Sequence, residues 1–192
     1  MMKRVGLFFG SFNPIHIGHM IIANLVKETT EVSEVWFIVS PQNPFKKNKN
    51  LLHEFDRLDM VRQATADDYS FRVSDVEFSM PKPSYTIDTL TVLQEKHPDT
   101  EFHLIIGGDN LVSFPRWKNH DQILEHFGLI VYPRPNSSES DLKNHKNVQF
   151  ISAPEMDISA TLIRSLIKGG KSIKYLVPDA VATHIETKGF FQ

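Results

Sequence analysis

The sequence predicts an α/β fold: a doubly wound parallel sheet with helices on both faces, in a single domain over residues 1–192. Three observations carry this. Apolar runs of strand length recur along the chain, at Val5–Phe9, Val35–Val39, Phe102–Ile106, Gly128–Tyr132 and Val148–Ile151. Stretches with apolar residues at helical spacing lie between them. Phe9 and Ile106 each run straight into glycine, which lets a buried strand turn sharply at its end. Strands that alternate with helices need crossover connections, and these cover both faces of a parallel sheet. The ligand crevice of such a sheet lies at the carboxyl ends of its strands.

Val5–Phe9 has the continuous apolar character of a strand buried on both sides. Ile21, Ile22, Leu25 and Val26 predict a helix from about Gly18 to Thr29. Val35–Val39 is stopped by Pro41. The lysine-rich stretch Gln42–Asn50 reads as a loop. Phe55, Leu58, Val61 and Thr65 predict a helix near Glu54–Asp67, with Phe55 in the core. Phe71–Phe78 alternates apolar and polar residues as a strand does, and Pro81 and Pro83 break it. Ile87, Leu90 and Leu93 mark a helix ended by Pro98. Phe114 also reads as core. Ile123, Leu124 and Phe127 belong to a helix before the strand Gly128–Tyr132, and Pro133–Lys146 is a polar, mobile loop. Leu162, Ile163, Leu166 and Ile167 form a helical stripe capped by Gly169-Gly170, and a final helix falls within Pro178–Lys188.

Composition bounds the function. A chain of 192 residues with 41% hydrophobic and 23% charged residues packs a core and is not disordered. Twenty-one Lys and Arg against 23 Asp and Glu give a net charge of −2, which disfavours general nucleic-acid binding. The absence of cysteine excludes disulfides, thiolate metal sites and cysteine nucleophiles. No apolar run approaches the roughly 18 residues of a membrane span, and Met1–Phe9 has no long apolar region of a signal peptide. The expectation is a soluble, cytoplasmic protein with no membrane partner. A homo-oligomer is compatible with the sequence, which sets no oligomeric state.

Gly10-Ser11-Phe12-Asn13-Pro14-Ile15-His16-Ile17-Gly18-His19 follows the first strand and opens the first helix. These residue types suit a polyphosphate. Gly10 admits close backbone approach, Ser11 and the loop amides donate to phosphate oxygens, and Pro14 stiffens the turn. His16 and His19 are three apart and point to one side, with Gly18 keeping the space between them open. The helix N-terminus adds unpaired N–H groups and a positive dipole end. The segment lacks the Gly-Lys-Ser/Thr of a Walker A loop, and no third ligand or carboxylate partner for a metal is evident. The competing reading is a pair of surface histidines on an ordinary turn.

His16-Ile17-Gly18-His19 resembles the T/H-x-G-H signature of the nucleotidyltransferase superfamily, and Ile158-Ser159-Ala160-Thr161-Leu162-Ile163-Arg164 resembles its late Ile-Ser-x-Thr-x-x-Arg element. Within that superfamily three further segments resemble the nicotinate-nucleotide adenylyltransferases of NAD synthesis: Ser84-Tyr85-Thr86-Ile87-Asp88-Thr89-Leu90, Ile106-Gly107-Gly108-Asp109 with Phe114-Pro115-Arg116-Trp117, and Arg134-Pro135. The resemblance runs from Val5 to about Ile185. The chain departs from the family pattern at Phe9 (often Gly), Asn13 (often Asp), Phe45 (usually His) and Ala160 (usually Ser).

The resemblance implies a Rossmann-like fold and transfer of AMP from ATP to nicotinate mononucleotide, releasing pyrophosphate. The nucleophile is a phosphate with a second pKa near 6, so no general base and no covalent enzyme intermediate is needed. It implies catalytic roles for His16 at the α-phosphate, His19 and Arg164 at the β- and γ-phosphates, and Lys46 on the basic loop. It implies an ATP site built from Gly10, Ser11, Phe12, His16, Gly18, His19, Gly107, Asp109, Ile158, Ser159, Thr161 and Arg164. The acceptor site it implies comprises Lys46, Tyr85, Thr86, Asp109 and Trp117. Mg²⁺ enters on the ATP phosphates, with no protein ligands. Asp109 suits ribose hydroxyls, or else caps the helix before Asn110. Trp117 offers a flat ring to the pyridine, or else packs in the core. A helix start at Thr86 would favour an anionic nicotinate over neutral nicotinamide. Lys46 is otherwise part of a solvated charge run, and Arg164 an ordinary surface ion pair.

Other readings share parts of the pattern. Phosphopantetheine adenylyltransferase has both terminal motifs, but Ser84–Leu90 and Trp117 argue against it. Preference for nicotinamide mononucleotide would keep the same fold. An aminoacyl-tRNA synthetase fragment is opposed by the near-neutral charge, the short chain and the lack of a Lys-Met-Ser-Lys-Ser-like loop. A non-catalytic nucleotide sensor is opposed by His16, His19, Lys46 and Arg164 occurring together.

Overall fold

The computed structural model describes residues 2–42, 51–134 and 140–192. Its centre is one parallel sheet of six strands: β1 (Lys3–Gly10), β2 (Glu34–Val39), β3 (Phe71–Ser74), β4 (Thr100–Gly107), β5 (Leu129–Tyr132) and β6 (Val148–Phe150). Their order is β3-β2-β1-β4-β5-β6, and every neighbouring pair is parallel. The direction of winding reverses between β1 and β4, so the topological switch point lies where Gly10 and Gly107 end those strands. The chain has the α/β, Rossmann-like architecture.

Alternation along the strands builds two cores. Phe8, Val35, Phe37, Val39, Ile105 and Ile130 face one side, where they meet α1 (Ile17–Thr29), α2 (Glu54–Thr65) and α7 (Asp179–Lys188) through residues such as Ile22, Val61 and Val181. Leu7, Trp36, Ile38, Leu104, Ile106 and Val131 face the other, against α3 (Thr86–Lys96), α4 (Gly108–Ser113) and α5 (His120–His126). Ile163 of α6 (Ala160–Lys168) joins the first core. Gly169 ends α6, and Gly170 takes a φ of 64° that few side chains tolerate. Among the described residues no helix is long and apolar enough to cross a membrane.

Several expectations need correction. The strand read over Phe71–Phe78 stops at Ser74, and Val76–Ser79 is a short 3-10 helix. The alternation does not continue beyond Ser74: Val76 and Glu77 are adjacent and both buried, and Glu77 accepts hydrogen bonds from Ser84 Oγ (2.8 Å) and Thr89 Oγ1 (2.7 Å). Phe55 is not core. It is 56% exposed and packs edge-on against Phe78 at the surface. Gly108–Ser113 forms α4, which the apolar periodicity did not announce. Asp141–Asn144, inside the stretch read as loop, is a 3-10 turn capped by Ser140. Residues 135–139 of that stretch, and most of the lysine-rich 42–50 stretch, lie outside the described residues.

Candidate active site

The loop after β1 takes an uncommon path. Phe12 has a φ of 45°, a left-handed conformation that costs a non-glycine residue about 1–3 kcal/mol and persists only where neighbours enforce it. Its ring is buried against Phe8, Phe37 and His19, so only its backbone is free to face a ligand. That ring fills the space a side chain at Gly10 would need, with ring carbons 2.7–3.0 Å from the position of a Cβ. Glycine at position 10 is therefore required by Phe12.

Buried arginine and asparagine groups hold the loop. Arg57, on α2 and fully buried, donates from Nη1 to the carbonyls of Ser11 (2.6 Å) and Ser40 (2.7 Å). It donates from Nη2 to Pro41 (3.0 Å) and from Nε to Leu52 (3.0 Å). Burial lowers its pKa to about 10, so it remains a cation at neutral pH. Arg164 Nη1 donates to the carbonyl of Asn13 at 2.7 Å, and Asn13 Oδ1 accepts the Leu52 N–H at 3.2 Å. Arg164 is half-buried and tied across the molecule to the first motif, and among the described residues it pairs with no surface carboxylate. Its second partner is Thr161 Oγ1, at 3.2 Å, and Ser159 caps the same helix by accepting the Leu162 N–H.

His16 is the N-cap of α1 and only 5% exposed. His19 stacks on it, with ring centroids 3.7 Å apart. The His16 N–H donates to His19 Nδ1 at 3.2 Å, which leaves the proton of neutral His19 on Nε2. A Cβ at Gly18 would sit 3.1 Å from His16 Nδ1, so a side chain there would crowd the pair. Burial, reinforced by the nearby Arg134 charge, lowers the His16 pKa to about 4. Burial, then His16 and Arg134, hold His19 well below the usual histidine range. Both rings are neutral at pH 7 and act as N–H donors, not cations.

One narrow cleft brings His16, Gly18, His19 and Ile158 together with Tyr132 and Arg134. Arg134 has no assigned role in the sequence reading, yet its guanidinium lies over the Tyr132 ring (5.6 Å) and 3.9 Å from Asp109 Oδ1. Asp109 is exposed in the first turn of α4, whose N-cap is Gly107, so it is not the helix cap. A side chain at Gly107 would collide with Asp109 Oδ1, 2.5 Å away. Lys46 lies outside the described residues.

The remaining predicted residues form a second group. Tyr85 is the N-cap of α3 and Thr86 its first residue, so a helix does begin where the sequence reading put it. Ser84 and Thr89 clamp Glu77 under that first turn. Trp117 is half-buried and leans on the fully buried Phe114 (ring centroids 5.5 Å). Lys118 joins the two segments: its ammonium binds both carboxylate oxygens of Asp88 at 2.9 Å and lies 4.9 Å from the Tyr85 ring centre. Arg57 and Glu77 escaped the sequence reading. Arg57 carried a signal, because it shares the buried face of α2 with Leu58, Met60, Val61 and Thr65.

Comparison with known proteins agrees with this geometry. A cytidylyltransferase-like family model matches residues 7–166. The chain is 60% identical to a probable nicotinate-nucleotide adenylyltransferase of Cytophaga hutchinsonii over 188 residues, 98% of each chain. It is 45% identical to a protein of the same description from Flavobacterium psychrophilum, over 98% of this chain and 99% of the relative. In fold it is similar to a Plasmodium falciparum nicotinic acid mononucleotide adenylyltransferase complexed with NaAD, with a TM-score of 0.83, 19% identity, and 98% and 97% of the two chains covered. By its switch-point histidines, its late Ser-Ala-Thr…Arg element and these relatives, the chain belongs to the cytidylyltransferase-like family and, within it, to the nicotinate-nucleotide adenylyltransferases.

Proposed function

We propose that this site transfers the adenylyl group of MgATP to the phosphate of nicotinate mononucleotide by direct in-line displacement. An acceptor phosphate oxygen forms a bond to the α-phosphorus, the bond from that phosphorus to the bridging oxygen breaks, and pyrophosphate leaves. The reaction needs two polyanions brought together and charge stabilised on the leaving group, so positioned donors supply most of the catalysis.

The observation that carries this reading is the pair of neutral histidines at the end of β1, with the His19 proton held on Nε2 by the His16 N–H. Neutral N–H donors contact phosphate oxygens without protonating them. His16 serves the α-phosphate, and His19 and Arg164 the β- and γ-phosphates. Arg134 adds a permanent cation beside both rings. Ser11, the loop amides and the α6 start at Ser159–Thr161 complete the anion site. Asp109 takes a ribose hydroxyl. Tyr85, Thr86 and Trp117 take the pyridine and its carboxylate, and Lys46 is assigned to the phosphates as a further cation.

Mg²⁺ enters with the ATP substrate, on its phosphates. The cleft offers histidine N–H groups and guanidinium, which complement phosphate and not a divalent cation. Among the described residues no group of three or more His, Cys, Asp or Glu is clustered to ligate one.

The test is pyrophosphate release from MgATP with nicotinate mononucleotide, nicotinamide mononucleotide and 4′-phosphopantetheine in parallel. Strong preference for the first is expected. Preference for the amide would overturn the pyridine-pocket assignment, and turnover with phosphopantetheine alone would overturn the acceptor class.

A further inference from the structure

We propose that Arg57 is a positioning residue for adenylyl transfer: from beneath the sheet end it turns the carbonyls of Ser11, Ser40 and Pro41 inward and so presents the Phe12 N–H to the phosphates. This rests on the reading of the His16–His19 cleft as the phosphate site.

Covalent geometry sets the direction of the Phe12 amide. In a trans peptide the C=O and the following N–H point in opposite directions. The Ser11 carbonyl is fixed on Arg57 Nη1 at 2.6 Å, so the Phe12 N–H of the same peptide faces away from Arg57. On the other side of Phe12, Arg164 Nη1 fixes the Asn13 carbonyl at 2.7 Å. The left-handed Phe12 is therefore pinned by a guanidinium on each side. Its ring, buried between Phe8, Phe37 and His19, removes the remaining freedom.

Electrostatics gives the arrangement a purpose. Strands β1 and β2 end side by side, and strand ends release carbonyl oxygens that would repel a polyphosphate. One fully buried cation takes up the carbonyls of Ser11, Ser40 and Pro41, and that of Leu52 at the entry to α2. An apolar side chain at this position would leave those buried carbonyls without a donor and free to turn towards the phosphate site. The guanidinium satisfies them and in doing so sets the polarity of the loop above it. Asn13 extends the same network, since its Oδ1 holds the Leu52 N–H while its carbonyl holds Arg164.

The experiment compares wild type, Arg57→Lys, Arg57→Met and His16→Ala at a temperature well below their melting points, with folding verified by near-ultraviolet circular dichroism. Folded Arg57 variants should lose about 10²-fold in kcat/KM for ATP, the scale on which a misplacement of about 1 Å registers. The KM for nicotinate mononucleotide should stay near wild type, and Arg57→Lys should recover part of the loss. In the wild-type protein the Phe12 amide resonance should move when Mg²⁺-pyrophosphate is added. Folded Arg57 variants with wild-type kcat and ATP KM would overturn the proposal, whatever their melting temperature. So would a Phe12 amide that stays still while its neighbours move, and this result decides alone if neither variant folds. If His16→Ala keeps its turnover, the phosphate-site reading falls and takes this proposal with it. If His16→Ala loses turnover while the Arg57 variants keep theirs, only the role of Arg57 falls.

Discussion

The two halves of the site are built differently. Around the end of β1 the groups assigned to phosphate are set into the interior: His16 is 5% exposed, Phe12 3%, and Arg57 beneath them is fully buried. At the starts of α3 and α4 the groups assigned to the acceptor lie nearer the surface: Tyr85 is 39% exposed, Asp109 is open to solvent, and beside Tyr85 the exposed Lys118 pairs with Asp88. Interior groups are held by several bonds each and move little, which suits reactive phosphates whose geometry decides the rate. Surface groups exchange partners at small cost, which suits the choice between similar acceptors. Substitutions in the first half should act on kcat or on folding, and those in the second on KM and preference.

The sharpest way to break this contrast is His16→Ala. The variant should fold and lose turnover by about 10²–10³, the loss expected for one donor to a transition-state oxyanion. Initial-rate assays with saturating ATP and nicotinate mononucleotide read it. Near-normal turnover would remove His16 from the phosphate site.

Acid should expose the same contrast in stability. The His16 pKa is about 6.5 in the unfolded chain and about 4 in the folded one. Above pH 6.5 both states are neutral and no stability is lost. As pH falls from 6.5 towards 4 the unfolded chain takes up a proton that the folded chain refuses, so stability drops by up to about 3 kcal/mol. His19 shifts in the same direction and adds to the drop. Urea midpoints measured from pH 7 to 4 should fall less steeply for His16→Asn than for wild type. Parallel curves would show that His16 protonates freely in the fold.

A smaller effect tests the support beneath the acceptor half. Thr89→Val removes one of the two hydroxyls that donate to buried Glu77. The loss should be about 1–3 kcal/mol, the cost of leaving a buried acceptor short of a donor, read as a lower urea midpoint. The KM for nicotinate mononucleotide should rise more than kcat falls, because the first turn of α3 loosens while the β1 loop does not.

What the sequence made legible follows the same division. The sheet could be read because buried parallel strands are apolar throughout, and the histidine motif because its residue types carry chemistry at fixed spacing. Arg57 could not be read by chemistry, since its partners are carbonyls, which look alike at every position. Glu77 was misread for a related reason: the hydroxyls that bury it come from Ser84 and Thr89, farther along the chain, so local alternation looked like a strand. Phe55 satisfied helical spacing yet faces solvent, because spacing gives a face without saying what covers it. Arg134 reached the cleft through the topology, which sets the end of β5 beside that of β4 and so brings it near Asp109.

The smallest predicted effect is the finest test of the acceptor half. Lys118 lies one residue beyond Trp117, over the Tyr85 ring, with both oxygens of Asp88 within 2.9 Å. An exposed pair of this kind contributes about 0–1 kcal/mol, so Lys118→Met should barely change the urea midpoint. Its charge nevertheless stands beside the residues assigned to the pyridine, where it favours a carboxylate over a carboxamide. The ratio of kcat/KM for nicotinate against nicotinamide mononucleotide should therefore fall by about threefold to tenfold, the scale of a partly screened charge contact, and the effect should shrink as salt is raised. A ratio unchanged at low salt would assign acid selection to the Thr86 helix start alone. A fall that persists undiminished at high salt would mean that Lys118 acts by holding the Trp117 segment against α3, and not by its charge.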